Sequence, residues 1–193
     1  MIQCSHSSDR EPDDVTLSVI APCYNEEPNI DLLVQRTLAV FSALDIQAEL
    51  VLIDDGSADR TWARVCARTQ ADPRVRGLQH STNGGIEAAW NTGLTAARGR
   101  LICLMDADLQ NRPEEIPHLL RAYVHGPADL VQGVRHASSC QAISASYPAA
   151  MTVRLAWRYA RASDLASRGS DRLVIRRRTP ASTVQPNALR LRS

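Results

Sequence analysis

From residue 15 onward the chain alternates between two hydrophobic periods. Short apolar runs at residues 15–21, 50–53, 75–79 and 101–105 read as buried strands, and residues 129–132 read as a fifth. Between them, apolar residues recur at helical spacing. Ile30, Leu33, Val34, Thr37, Leu38 and Phe41 follow Pro28, which suits a first helical turn. Trp62, Val65, Cys66 and Thr69 form a second stripe behind Asp59, a capping residue. A third stripe, Ile86, Ala89, Trp90, Gly93, Leu94 and Ala97, stops at Gly99, and a fourth, Ile116, Leu119, Leu120 and Tyr123, opens at Pro113. Strands alternating with helices over short connections predict an α/β fold, a mostly parallel sheet with helices on both faces.

The pattern fades after residue 135. Residues 136–163 are rich in Ala and Ser, with one candidate helix around Met151 to Ala162. Residues 168–193 carry Arg176-Arg177-Arg178 and no sustained apolar period. Three regions follow: a polar, disordered 1–14, one domain over 15–135, and an atypical, poorly ordered basic tail over 136–193.

Three strands run directly into polar clusters: Pro22-Cys23-Tyr24-Asn25-Glu26-Glu27, Asp54-Asp55-Gly56-Ser57, and Asp106-Ala107-Asp108-Leu109-Gln110. In open α/β sheets, ligands bind outside the carboxyl ends of the strands, so the three clusters would converge. In an extended chain Asp106, Asp108 and Gln110 would share one face. Two carboxylates there repel each other unless a cation separates them or one is protonated. All-oxygen ligands suit Mg²⁺ or Mn²⁺, which keep positions open for waters and phosphates.

Together the clusters describe a site for a nucleotide diphosphate. Tyr24 offers a flat surface for a base, and Asp55 an acceptor for a base N–H. Glu26 or Asp106 suits a ribose diol, while Asp108 and Gln110 suit the cation on the phosphates. Gly56 and the pair Gly84-Gly85 permit close backbone approach. Each feature also has a plain reading: Tyr24 as packing, Asp54 as a strand-end cap, Gly84-Gly85 as a turn.

Composition narrows the setting. The chain has 193 residues, enough for one domain with a proper core. Its net charge of +1 hides a split: 12 Arg against 19 acidic residues in 1–135, then 10 against 2 in 136–193. Every basic residue is Arg, as a GC-rich genome would favour. With no patterned basic face or stacking aromatics, nucleic acid is not an expected partner. The five cysteines are scattered without C-x-x-C spacing, which predicts reduced thiols and neither a zinc site nor a disulfide framework. The acidic, polar start is not a secretory signal, and no apolar stretch is long enough to span a bilayer.

The motifs then resemble those of family-two glycosyltransferases with a GT-A-type nucleotide-binding domain, and among them the polyprenyl-phosphate glycosyltransferases. The resemblance rests on residues 18–27, on Leu52-Ile53-Asp54-Asp55-Gly56-Ser57, on Asn83-Gly84 before Ala88-Ala89, and on Gly133-Val134-Arg135. Its most specific part is the run from Met105 to Pro117. It covers about residues 15–135.

The resemblance implies that Pro22, Tyr24, Glu26 and Asp55 line the nucleotide pocket, that Asp106, Asp108 and Gln110 bind metal and donor diphosphate, and that Arg135 neutralises phosphate charge. It implies a nucleotide-diphosphate sugar as donor and a polyprenyl-phosphate lipid as acceptor. The protein would then lie in the cytoplasm, peripheral to the inner face of the membrane. At Gly85 such enzymes often carry a polar or basic residue. From Ala137-Ser138-Ser139-Cys140-Gln141 onward nothing matches, so the acceptor half is missing or replaced.

Two other readings compete with an active transferase. One is a truncated or frameshifted remnant that keeps donor binding alone. The other is an aspartyl-phosphate enzyme, disfavoured because its acidic motif belongs on the first strand and its basic partner is typically Lys.

Overall fold

The computed structural model describes residues 1–4, 15–125, 130–133 and 173–176. In chain order the elements are β1 (Ile2–Cys4), β2 (Leu17–Cys23), α1 (Glu27–Leu44), β3 (Ala48–Asp54), α2 (Thr61–Ala71), β4 (Val75–Gln79), α3 (Ile86–Ala96) and β5 (Leu101–Leu104). A 3₁₀ turn (Pro113–Glu115), α4 (Ile116–His125), β6 (Leu130–Gln132) and β7 (Leu173–Arg176) follow. The strands form one sheet in the order β1-β4-β3-β2-β5-β7-β6.

β4, β3, β2 and β5 are mutually parallel, as the β/α alternation requires. β1 is antiparallel to β4, and β7 is antiparallel to both β5 and β6. β6, the fifth of the predicted strands, thus lies one place out from β5, with Leu173–Arg176 between them. That segment lies in the stretch expected to be a poorly ordered basic tail; the rest of 136–193 lies outside the described residues, as do 5–14.

Side-chain alternation divides the core in two. Leu17, Val19, Ala21, Leu50, Leu52 and Cys103 face one way and pack against α1, α2 and α4. Ile20, Val51, Ile53, Ile102 and Leu104 face the other way, where Ala89 and Trp90 of α3 cover them. α1 follows its predicted stripe and buries Ile30, Leu33, Val34, Thr37, Val40, Phe41 and Leu44. Each large apolar side chain so buried contributes about 1.5–3 kcal/mol before entropy is counted. α3 sits close because of Gly93: any Cβ there would collide with Ile20 and Ile53.

A buried polar cluster anchors the far end of α3. Glu49 Oε1 accepts from the Ser18 hydroxyl (2.6 Å) and the Arg98 N–H (2.7 Å), and Oε2 accepts from Arg76 Nη1 (2.9 Å). Arg76 Nη1 also donates to the Ala96 carbonyl, and the Gly99 N–H to Ser18 Oγ. These residues lie near the amino ends of β2, β3 and β4, away from the motif clusters.

One expectation changes. Cys66 is disulfide-bonded, against the reading of all thiols as reduced; bridging follows approach in space, which residue spacing does not report. Cys23 and Cys103 are buried and not disulfide-bonded.

Candidate functional site

The chain runs from β2 to β3 to β4 in one direction, then crosses back through α3 to β5 on the other side of β2. This reversal opens a crevice at the carboxyl ends of β2 and β5, the place where open α/β sheets bind ligands. All three polar clusters are at this edge. Pro22 and Cys23 end β2, Asp55 follows β3, and Asp106 lies two residues past β5.

Hydrogen bonds join the first two clusters. The backbone of Asn25 is left-handed (φ 56°), a conformation Asn tolerates, and its N–H donates to Ser57 Oγ at 2.9 Å. Asn25 Oδ1 accepts from the Ala58 N–H at 2.9 Å, and Thr61 Oγ1 from the Glu26 N–H at 2.8 Å. The Asp55 N–H donates to the Cys23 carbonyl, prolonging the β2–β3 ladder past the strands. Gly56 is also left-handed (φ 72°), and a Cβ on it would lie 2.7 Å from both Asn83 N and Thr82 C. The β3–α2 turn therefore lies directly against the β4–α3 loop.

Asp55 connects these loops. Its Oδ1 accepts from the Gly84 N–H (2.9 Å) and its Oδ2 from the Gly85 N–H (2.8 Å). His80 Nδ1 lies 2.6 Å from Oδ1. Asp54 points into the protein instead: it is fully buried, and its oxygens accept from the Ser57 N–H and the Gln79 amide. Burial, with the Asp54 and Glu26 carboxylates adding to it, pushes the Cys23 thiol far above its ordinary value. Held neutral in this way, Cys23 packs as an apolar residue.

The remaining predicted residues are placed as follows. Pro22 is half-buried; Tyr24 is 50 % exposed at the mouth of the crevice. Glu26 sits at the start of α1, its Oε2 accepting from the Asn29 amide at 2.6 Å. Asp106 and Asp108 are partly exposed while Ala107 between them is buried, so both carboxylates lie on the open side. Gln110 does not continue that alternation. Leu109 is left-handed (φ 61°), an uncommon state for a bulky residue, and it turns the chain. The Gln110 N–H donates back to Asp108 Oδ1 at 3.0 Å. Asn111 Nδ2 lies 3.5 Å from Asp106 Oδ2. Arg135 lies outside the described residues.

Among the described residues no group of three or more His, Cys, Asp or Glu side chains could enclose a metal. Two accessible carboxylates fit a hard divalent cation that takes its other ligands from phosphate and water, and they do not fit a closed structural site. The sequence reading missed His80 and Thr92. His80 directly follows β4, the same strand-end position as the other clusters, and that placement was the available signal.

The sequence profile of Glycosyl transferase family 2 matches residues 18–172. An undecaprenyl-phosphate 4-deoxy-4-formamido-L-arabinose transferase of Photorhabdus laumondii is 40% identical over 111 residues, covering 57% of this chain and 34% of that protein. A dodecaprenyl-phosphate galacturonate synthase of Rhizobium johnstonii is 38% identical over 122 residues, covering 62% and 36%. The chain thus spans about a third of the length of these relatives. A mannosyltransferase from Pyrobaculum calidifontis, solved in complex with GDP-Man and Mn²⁺, shares the fold, with a TM-score of 0.53 at 23% identity over 67% of this chain and 39% of that one.

Proposed function

Because this chain belongs to glycosyl transferase family 2, we propose that it binds a nucleotide-diphosphate sugar and transfers the sugar to a polyprenyl-phosphate lipid. One observation carries the reading: polar clusters from three strand ends are gathered at the switch point of the sheet, and Asp55 is bonded to the loop after a fourth. The relatives are named as polyprenyl-phosphate sugar transferases, which supports the acceptor class.

In this proposal the base stacks on Tyr24 beside Pro22, and Asp55 accepts its N–H. Three hydrogen bonds leave that carboxylate one of about four acceptor positions. Glu26 or Asp106 takes the ribose hydroxyls. Asp106 and Asp108, with Gln110 as a third candidate, would hold Mg²⁺ or Mn²⁺. That ion, when bound, supplies positive charge against the diphosphate.

Cleavage of the sugar–phosphate bond builds oxocarbenium character on the sugar and negative charge on the departing diphosphate. Arg135 would stabilise the latter. A lipid monophosphate, with a second pKa near about 6, is largely ionised at neutral pH and attacks without a strong base. In this proposal the acceptor is met at the inner membrane surface; among the described residues no helix is long and apolar enough to cross a membrane.

A second reading is a donor-binding remnant without transfer. Its basis is the loss of helical and strand period after Arg135, where no acceptor motif could be read, although the family profile itself continues to residue 172. One assay separates the two. The full chain is incubated with Mn²⁺, nucleotide sugars and vesicles containing undecaprenyl phosphate, and lipid-linked sugar is measured. Transfer supports the enzyme. Nucleotide binding without transfer to any polyprenyl phosphate supports the remnant.

A further inference from the structure

His80 belongs to none of the motifs, yet it makes the shortest contact to Asp55. Its Nδ1 is 2.6 Å from Asp55 Oδ1, and its Nε2 is 2.8 Å from Thr92 Oγ1 on α3. In the neutral ring this network selects one tautomer. Nδ1–H donates to the carboxylate, and Nε2 accepts from the Thr92 hydroxyl. The two side chains are only 14% and 4% exposed, so water competes poorly for the bond. With the Gly84 and Gly85 N–H groups, His80 fixes the plane of the carboxylate from three directions. The acceptor position left over then has a set direction.

We propose that His80 is a positioning residue for base recognition. It locks the Asp55 carboxylate against α3 through Thr92, so that the free lone pair points one way when a nucleobase arrives. Without His80 a second acceptor position opens on Oδ1, and the carboxylate, held by the Gly84 and Gly85 N–H groups alone, accepts from several donor edges. Discrimination between bases then falls more than affinity does. This rests on the reading of Asp55 as the base acceptor.

The test titrates uridine, cytidine and guanosine diphosphates, each with Mn²⁺, into the full chain. The readout is the Kd ratio between the best and worst base. His80→Phe is expected to reduce that ratio by about tenfold or more, the scale of a hydrogen bond to a charged group. His80→Asn, whose amide N–H can stand in for Nδ1–H, restores most of it. His80→Gln, whose amide reaches toward Thr92, does not. If His80→Phe fails to fold, the Asn and Gln variants decide the matter alone. An unchanged ratio in His80→Phe, or equal ratios for Asn and Gln, overturns the proposal. Asp55→Asn keeps the two failures apart. If it lowers the ratio while the His80 variants do not, only His80 is misassigned. If it leaves the ratio unchanged, or the parent chain shows no preference, the Asp55 reading itself fails.

Discussion

Replacing Glu49 with Ala separates the stability of the fold from the working of the site. Glu49 and Arg76 are 5% and 12% exposed, and their 2.9 Å contact lies beneath the end of α3. Removing the carboxylate leaves the Arg76 guanidinium with the Ala96 carbonyl as its remaining partner, while Arg76 Nε is already buried without one. The Arg98 N–H loses its acceptor as well. Breaking a buried ion pair in this way costs about 3–5 kcal/mol. A domain of this size has roughly 5–15 kcal/mol of stability, so the variant should fold with a much reduced margin. At about 2–4 °C per kcal/mol, Tm should fall by roughly 6–20 °C. Urea unfolding gives the free energy, and calorimetric titration below the transition gives nucleotide affinity, which should stay within about twofold since the cluster is at the opposite strand ends. A loss under about 1 kcal/mol, or nucleotide binding that falls along with stability in still-folded protein, would refute the reasoning.

Gly56→Ala should act at the site end. The left-handed backbone costs about 1–2 kcal/mol and the contact with residues 82 and 83 about 1–3 more, so urea unfolding should show a loss of about 2–5 kcal/mol; no measurable loss would mean the two loops are not in contact. Asp31 gives a pH test. The hydrogen bond from Arg68, aided by the Arg68 and Arg64 charges, lowers its pKa although slight burial opposes this. A carboxylate lowered on folding contributes fully above the ordinary aspartate value of about 4 and is lost as pH falls through the lowered one. The pair is exposed, so the effect is small. Arg68→Ala should reduce stability slightly at pH 7 and not at pH 2; an equal loss at both would exclude the charge contribution.

The parallel core was readable because each strand is a buried apolar run bounded by polar residues, and each helix carries its own stripe. The antiparallel strands were not. Ile2–Cys4 has three residues, and Leu173–Arg176 lies among arginines and pairs with β5, about 70 residues earlier in the chain. Pairing at such separation leaves no local period to read. The clusters at the ends of β2, β3 and β5 stood out because their polar residues are contiguous. The His80–Asp55–Thr92 chain did not, since its members are 25 and 12 residues apart. The turn at Leu109 was hidden for another reason: extended alternation was assumed to run on to Gln110, and a left-handed leucine is not written in its residue type.

The central claim is that the strand ends at this switch point form a metal-dependent site for a nucleotide diphosphate. Calorimetric titration of nucleotide diphosphates into the full chain, with and without Mn²⁺ and alongside Asp108→Ala, tests it most directly. The account predicts binding that requires Mn²⁺ in the parent chain and is severely weakened in Asp108→Ala, where the cation loses a charged ligand while the phosphates keep their repulsion. Binding by Asp108→Ala equal to that of the parent, with the same Mn²⁺ dependence, would contradict it, as would a folded parent chain that binds no nucleotide diphosphate at all.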